Sequence, residues 1–287
     1  MNNYDYYRAG SVEDACRLLE ELPNSCILAG GTDLVVDIDS GLRLAENIIS
    51  ISDLEELRKI YRQDNSIIIG AGCTAAEIEK SPQVNEHMPE LSRMVVKFAS
   101  PQIRNRATIA GNICSAVPCG DFPPVLISLG AEVELASVNG RRKVPLEKYF
   151  VGNRQTIRKE NEILTRIIIP MKPPNAAGNY QKFRRRAANS LAVASVAAYI
   201  ETDGNVCRES RIVMGSVAPI PLVARKAGES LAGKRINDNA ISSAAQIASD
   251  EAMPITDLRG SDEYRRDLIK VLTVRALSRA RELIELK

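Results

Sequence analysis

At 287 residues with 45% hydrophobic side chains, the chain is long enough for two or three compact units around sizeable cores. Its 38 Lys and Arg against 36 Asp and Glu leave a net charge of +2, too even to attract nucleic acid, and no apolar run approaches the roughly 20 residues that cross a bilayer. The opening MNNYDYYRAG has no basic stretch followed by an apolar one, so it is not a secretory signal, and a cytoplasmic protein is expected.

In chain order, residues 3–7 read as a short strand. Ser11 caps a helix whose apolar positions Ala15, Leu18, Leu19 and Leu22 follow the helical period, and Pro23 ends it. Residues 26–29 form a buried strand that runs straight into Gly30-Gly31, residues 32–40 give a turn or two of helix, and 47–51 a further strand. This β-α-β-α-β order predicts a small parallel sheet with the glycine turn at a strand's carboxyl end, where open α/β sheets bind ligands. Strands near 59–62 and 67–72 follow, divided by Gln63-Asp64-Asn65. Gly70-Ala71-Gly72-Cys73-Thr74-Ala75-Ala76 imitates a dinucleotide-binding fingerprint, but a true one opens a βαβ unit. Here a short helix over 74–80, Ser81-Pro82 and a longer helix over 83–97 come next with no second strand.

Pro101 stops that helix and delivers the chain in an extended approach to a second glycine turn, Thr108-Ile109-Ala110-Gly111-Asn112. Asp121 is placed as the N-cap of a helix reaching about residue 129, with Pro123-Pro124 in its first turn. Residues 131–138, Asn139-Gly140 and 141–144 read as a hairpin on a type I′ turn, and 162–170 as another strand. The run 171–178 is the best linker and sets a domain boundary near 176. Beyond it come strands at 180–184, 190–202 and 206–217, then helices near 221–232, 237–250 and 262–284.

The six cysteines, at 16, 26, 73, 114, 119 and 207, show no C-x-x-C spacing and read as free thiols. His87, the one histidine, reads as a solvated helix residue and leaves neither a histidine-assisted nucleophile nor a two-histidine metal site. No catalytic residue and no metal ligand are therefore assigned. Any redox chemistry is expected from a cofactor that the protein binds and orients. Arg184-Arg185-Arg186, as a charge run, reads as a solvated face.

The two glycine turns suit such a cofactor. Glycine lets the backbone close on a bulky anion, and successive amide N–H groups make a concavity for phosphate oxygens. Two turns together could grip the two phosphates of one pyrophosphate.

The segments AGGTDL, SPQIRN, TIAGN and PCGD, in this order and spacing, resemble the FAD-binding (medium) subunits of molybdenum-containing hydroxylases, the carbon monoxide and xanthine dehydrogenase family, and the likeness spans nearly the whole chain. The resemblance implies an α+β fold. A PCMH-type FAD-binding domain would cover 1–176, as a small parallel βαβ subdomain (1–57) and a mixed or antiparallel sheet subdomain (58–176). A C-terminal domain over 177–287 would hold a three-stranded antiparallel sheet and a helical bundle. It also implies that Ile27, Leu28, Ala29, Gly30, Gly31, Thr32, Asp33 and Leu34 wrap the FAD pyrophosphate, with Thr108, Ala110, Gly111 and Asn112 on its other side. Ala110 stands where glycine is commoner. Asp121 would take ribityl and ribose hydroxyls, with Ser115 a polar neighbour, and Phe98, Ala99, Leu164 and Lys182 would line the adenine or isoalloxazine pocket. The family's Y-x-K-F-x-R-R pattern is matched by Tyr180, Lys182, Phe183, Arg185 and Arg186, whereas Ser190 stands where an acid is usual.

A subunit of this kind does not meet the organic substrate. Electrons leave a molybdopterin-binding large subunit through [2Fe–2S] clusters on a small subunit, reach FAD, and pass to NAD(P)+ or another acceptor, within a dimer of heterotrimers. The alternatives are a stand-alone FAD- or NAD(P)-dependent reductase using Gly70-Ala71-Gly72, and a flavin-free scaffold of the same fold.

Overall fold

The computed structural model describes residues 4–186 and 190–286; residue 3 of the expected first strand lies outside them. The chain begins with β1 (Asp5–Arg8), α1 (Val12–Glu21), β2 (Ser25–Leu28), α2 (Leu34–Asp39) and β3 (Asn47–Ser50). Ser11 starts α1 by accepting the Asp14 N–H, which satisfies one of the donors a helix start leaves open. The three strands form a parallel sheet in the order β1-β3-β2, so the glycine turn leaves the carboxyl end of an edge strand.

Next come β4 (Ile60–Gln63), β5 (Ser66–Gly70) and six helices: α3 (Ala75–Lys80), α4 (Pro82–His87), α5 (Pro89–Val96), α6 (Pro101–Arg104), α7 (Ile109–Ser115) and α8 (Phe122–Ser128). They are followed by β6 (Glu132–Ser137), β7 (Gly140–Pro145), a small hairpin of β8 (Phe150–Gly152) and β9 (Gln155–Thr156), and β10 (Ile163–Pro170). The last strand enters the middle of a five-stranded sheet, β4-β5-β10-β6-β7, whose neighbours are all antiparallel.

Four local readings change here. The long helix expected over 83–97 is broken at Met88, because Pro89 pushes its predecessor out of helical geometry (φ −128°, ψ 53°). Pro101 does not lead an extended approach; it sits at the first position of α6, where its missing N–H costs nothing, and Ser100 caps the turn by accepting the Ile103 N–H. In the β6–β7 hairpin Ser137 pairs with Gly140, so the loop is Val138-Asn139 and Gly140 alone takes positive φ (117°). His87 is half-buried rather than solvated.

The remainder comprises β11 (Ala176–Arg184), β12 (Ala192–Asp203), β13 (Val206–Gly215), β14 (Leu222–Val223), α9 (Arg225–Glu229), α10 (Asp238–Glu251) and α11 (Asp262–Glu285). The sheet is antiparallel with four strands rather than three. Leu222 and Val223, read as helix from sequence, pair with Met214 and Val213 instead. One core joins the first two sheets to the helices between them, and a second fills the space between the β11–β14 sheet and α9–α11. The helix α8 packs on β12 and β13, so it ties the first core to the last sheet.

Candidate functional site

The two glycine turns meet. A Cβ on Gly30 would lie 1.9 Å from the Arg106 carbonyl oxygen, so the first turn rests directly on the backbone that enters the second, and only glycine permits that approach. Ser115, at the end of α7, donates to Asp33 in the first turn at 2.6 Å. Between the turns opens a cavity of about 640 Å³, within the usual range for small-molecule and cofactor sites. All the residues assigned to FAD from sequence line it, except Leu28. The Leu28 side chain packs instead against the small core of Cys26, Ile38, Ala45 and Ile48.

The turns are chemically unlike. Gly30, Gly31, Thr32 and Asp33 lie outside any helix or strand, and their N–H groups find no acceptor among the described residues. Open amides in such a turn make a concavity that can take an anion, and Gly31 supplies a positive φ of 76°. The second turn is the start of α7. Ile109 donates to Cys73 O, Ala110 to Ala71 O, Asn112 to Thr108 O, and Gly111 to the Thr108 hydroxyl that caps the helix. These four amides are spent inside the fold. What the second turn offers is side chains: the Thr108 hydroxyl proton, the Asn112 amide nitrogen and Ser115.

Across the cavity, Asp121 holds the N-cap position of α8 without capping it. Asn112 Oδ1 accepts the Phe122 N–H in its place, at 3.4 Å. The Asp121 carboxylate is turned to β11, where it accepts from the Tyr180 hydroxyl at 2.6 Å and from Lys182 Nζ at 2.7 Å. Side chains of Lys182 and Asp121 are only 4% and 6% exposed, so each is the other's compensation for leaving water. Burial, and then the Asp121 charge, push the Tyr180 phenol well above its usual range, which keeps it a donor. Each carboxylate oxygen retains a lone pair for a ligand hydroxyl. Phe98, Ile163, Leu164 and Leu191 give the cavity an apolar wall.

Sequence reading missed a basic end. Arg43, Arg154 and Arg158 line the same cavity, as does Cys114. Burial raises the Cys114 thiol above its usual range, against a lowering pull from Arg158, the Tyr149 hydroxyl and Arg43. Arg154 has left-handed backbone (φ 58°), donates its N–H to Ala116 O at 2.9 Å, and bonds Asp37 through both terminal nitrogens. The only signal for this end was two arginines flanking a short polar turn after Gly152. The three-arginine run is held otherwise: Arg184 donates to Lys97 O and Arg185 to Leu258 O.

The imitation fingerprint makes no such concavity. Gly70, Gly72 and Cys73 donate to Lys59 O, Leu57 O and Gly70 O, and a Cβ on Gly70 would lie 2.2 Å from Leu57 O. These glycines let β5 pass the preceding chain segment, in an antiparallel sheet.

A turn of free amides, a buried carboxylate across from it and an apolar wall in one cavity fit a flavin dinucleotide. The sequence profile described as the FAD binding domain in molybdopterin dehydrogenase matches residues 2–172, and that of the CO dehydrogenase flavoprotein C-terminal domain matches 178–280. The carbon monoxide dehydrogenase medium chain of Hydrogenophaga pseudoflava is 33% identical over 279 residues, 96% of each chain. The glyceraldehyde dehydrogenase medium chain of Sulfolobus acidocaldarius is 32% identical, over 95% of this chain and 96% of that one. A solved structure of the Hydrogenophaga pseudoflava carbon monoxide dehydrogenase superposes with a TM-score of 0.95 at 32% identity over 98% of both chains. With both profiles matched in order over nearly all its length, this chain belongs to the FAD-binding medium subunits of the molybdenum hydroxylase family.

Proposed function

We propose that the chain carries electrons through FAD, taking them from [2Fe–2S] clusters of a small partner subunit and passing them to NAD(P)+ or another acceptor. The observation that carries this reading is the cavity where the Gly30-Gly31 nest faces Asp121 and Lys182. Bound FAD supplies the redox chemistry, and the protein's residues bind and orient it.

In this reading the N–H groups of Gly30, Gly31, Thr32 and Asp33 hold phosphate oxygens, each worth about 1.5–3 kcal/mol as a hydrogen bond to a charged group. Asp121 accepts ribityl or ribose hydroxyls while its bonds from Tyr180 and Lys182 keep it aimed. Thr108, Asn112 and Ser115 add side-chain contacts, Phe98 and Leu164 flank a ring, and Leu28 contributes backbone alone. The domain boundary belongs near residue 176, where β11 starts and adds Lys182 to the wall.

The relatives named above are medium chains of a carbon monoxide and a glyceraldehyde dehydrogenase, yet each aligns with this chain over nearly its whole length. The substrate is therefore met elsewhere, on a molybdopterin-binding large subunit, and the complex is a cytoplasmic dimer of heterotrimers. No helix among the described residues is long and apolar enough to cross a membrane. A reductase built on Gly70-Ala71-Gly72 loses its site, since those amides are occupied.

Purified chain should be yellow, with about one FAD per chain released on denaturation. A chain that neither retains FAD nor takes it up in a flavin titration overturns the proposal and favours the flavin-free scaffold.

A further inference from the structure

A diphosphate brings two negative charges, and the glycine turns meet them only in part. The first turn has open amides, but those of residues 109–112 are taken. The wall beside the nest also carries Asp33 and Asp37, whose charge opposes a phosphate. Cations elsewhere in the cavity must supply the difference.

The cavity's cations are not equivalent. Lys182 is paired with Asp121 and Arg154 with Asp37. Arg43 and Arg158 have no carboxylate within ion-pair distance among the described residues. Arg158 is also fixed in place: one terminal nitrogen donates to Glu162 O at 2.6 Å and Lys159 O at 3.0 Å, which leaves its other N–H groups for a ligand. Arg43 is anchored through its backbone, which donates to Asp37 O at 3.0 Å. A guanidinium presents a planar fork that matches phosphate oxygens, and one already held loses little freedom on binding.

Resting on the FAD reading, we propose that Arg43 and Arg158 clamp the diphosphate of FAD opposite the Gly30-Gly31 nest, while Arg154 neutralises Asp37 so that this end of the cavity stays positive. The clamp replaces the amides that α7 withholds.

The test titrates the full-length apoprotein with FAD and with riboflavin, which has the same ring and ribityl chain but no phosphate. Arg43→Met and Arg158→Met should each weaken FAD about tenfold, equivalent to about 1.4 kcal/mol, and leave riboflavin affinity unchanged. Arg43 is exposed, so its variant folds even where loss of the Arg158 carbonyl bonds disturbs the β9–β10 loop. Variants that bind FAD like the unsubstituted chain, or that lose FAD and riboflavin equally, overturn the clamp. An unsubstituted chain that binds FAD no better than riboflavin overturns the clamp but leaves the flavin function standing, and one that binds neither overturns both.

Discussion

Ser115 and Asp33 stand 82 residues apart in the chain and 2.6 Å apart in space, hydroxyl to carboxylate. This bond locks the first glycine turn to the end of α7. It also gives the Asp33 carboxylate beside the turn a hydrogen-bond donor, without cancelling its charge.

Ser115→Ala removes the lock and leaves the Asp33 carboxylate without that donor. FAD affinity should fall roughly three- to tenfold, or about 1 kcal/mol, as for one hydrogen bond at a solvent-accessible site. Isothermal titration reads this directly; an affinity equal to that of the parent chain shows that the lock is idle.

Gly30→Ala forces a methyl group into the Arg106 carbonyl, where nothing flexible is available to yield. The cost should be about 3 kcal/mol or more, with FAD binding lost. Gly10→Ala is the control, because its Cβ would meet only the Asp14 carboxylate at 3.9 Å. Thermal unfolding of both variants checks the contrast, and equal melting points refute it.

Ala116 ends α7 in left-handed geometry, φ 47° and ψ 34°, a place glycine fills without strain. Ala116→Gly should stabilise the chain by about 0.5–1 kcal/mol despite the added freedom of the unfolded state. A lower denaturation midpoint would show that the side chain's burial outweighs the strain.

Arg142 grips Glu162 with two nitrogens at 2.6 and 2.8 Å, and that contact first of all holds the Glu162 carboxyl below its usual range against the effect of burial. A carboxyl with a depressed folded pKa binds fewer protons when folded. Its contribution is therefore complete above the unfolded value of about 4.3 and is lost as pH falls through the folded value. Glu162→Gln should cost about 1.5–3 kcal/mol at pH 7 and progressively less as pH falls below about 4.3. A difference between variant and parent that stays constant over that range rejects the assignment.

Much of this was legible because it is written in short-range signals. Ser11 announces its helix, and the parallel β1–β3 sheet follows from alternation of apolar runs with helical ones. The turns were found from glycine, whose meaning is steric and local. What their amides do depended on Cys73 and Ala71, which lie a helix bundle away in sequence but within hydrogen-bond reach of α7. Asp121 looked like a cap because Pro123 and Pro124 follow it, and only Tyr180 and Lys182, on a strand far along the chain, reveal why it turns away. Arg43 carries no local signal at all and Arg158 only its place beside a short polar turn, since a guanidinium on a loop is ordinarily just wet.

The Asp121 pair with Lys182 spans the two matched segments: the acid precedes α8 and the base lies on β11. Neither half of the molecule can build the site's floor by itself. A chimera that joins the front of one relative to the back of another keeps this contact only if its front brings the acid and its back the base, and on the flavin function proposed above that makes the pair the joint to preserve in any recombination of these subunits.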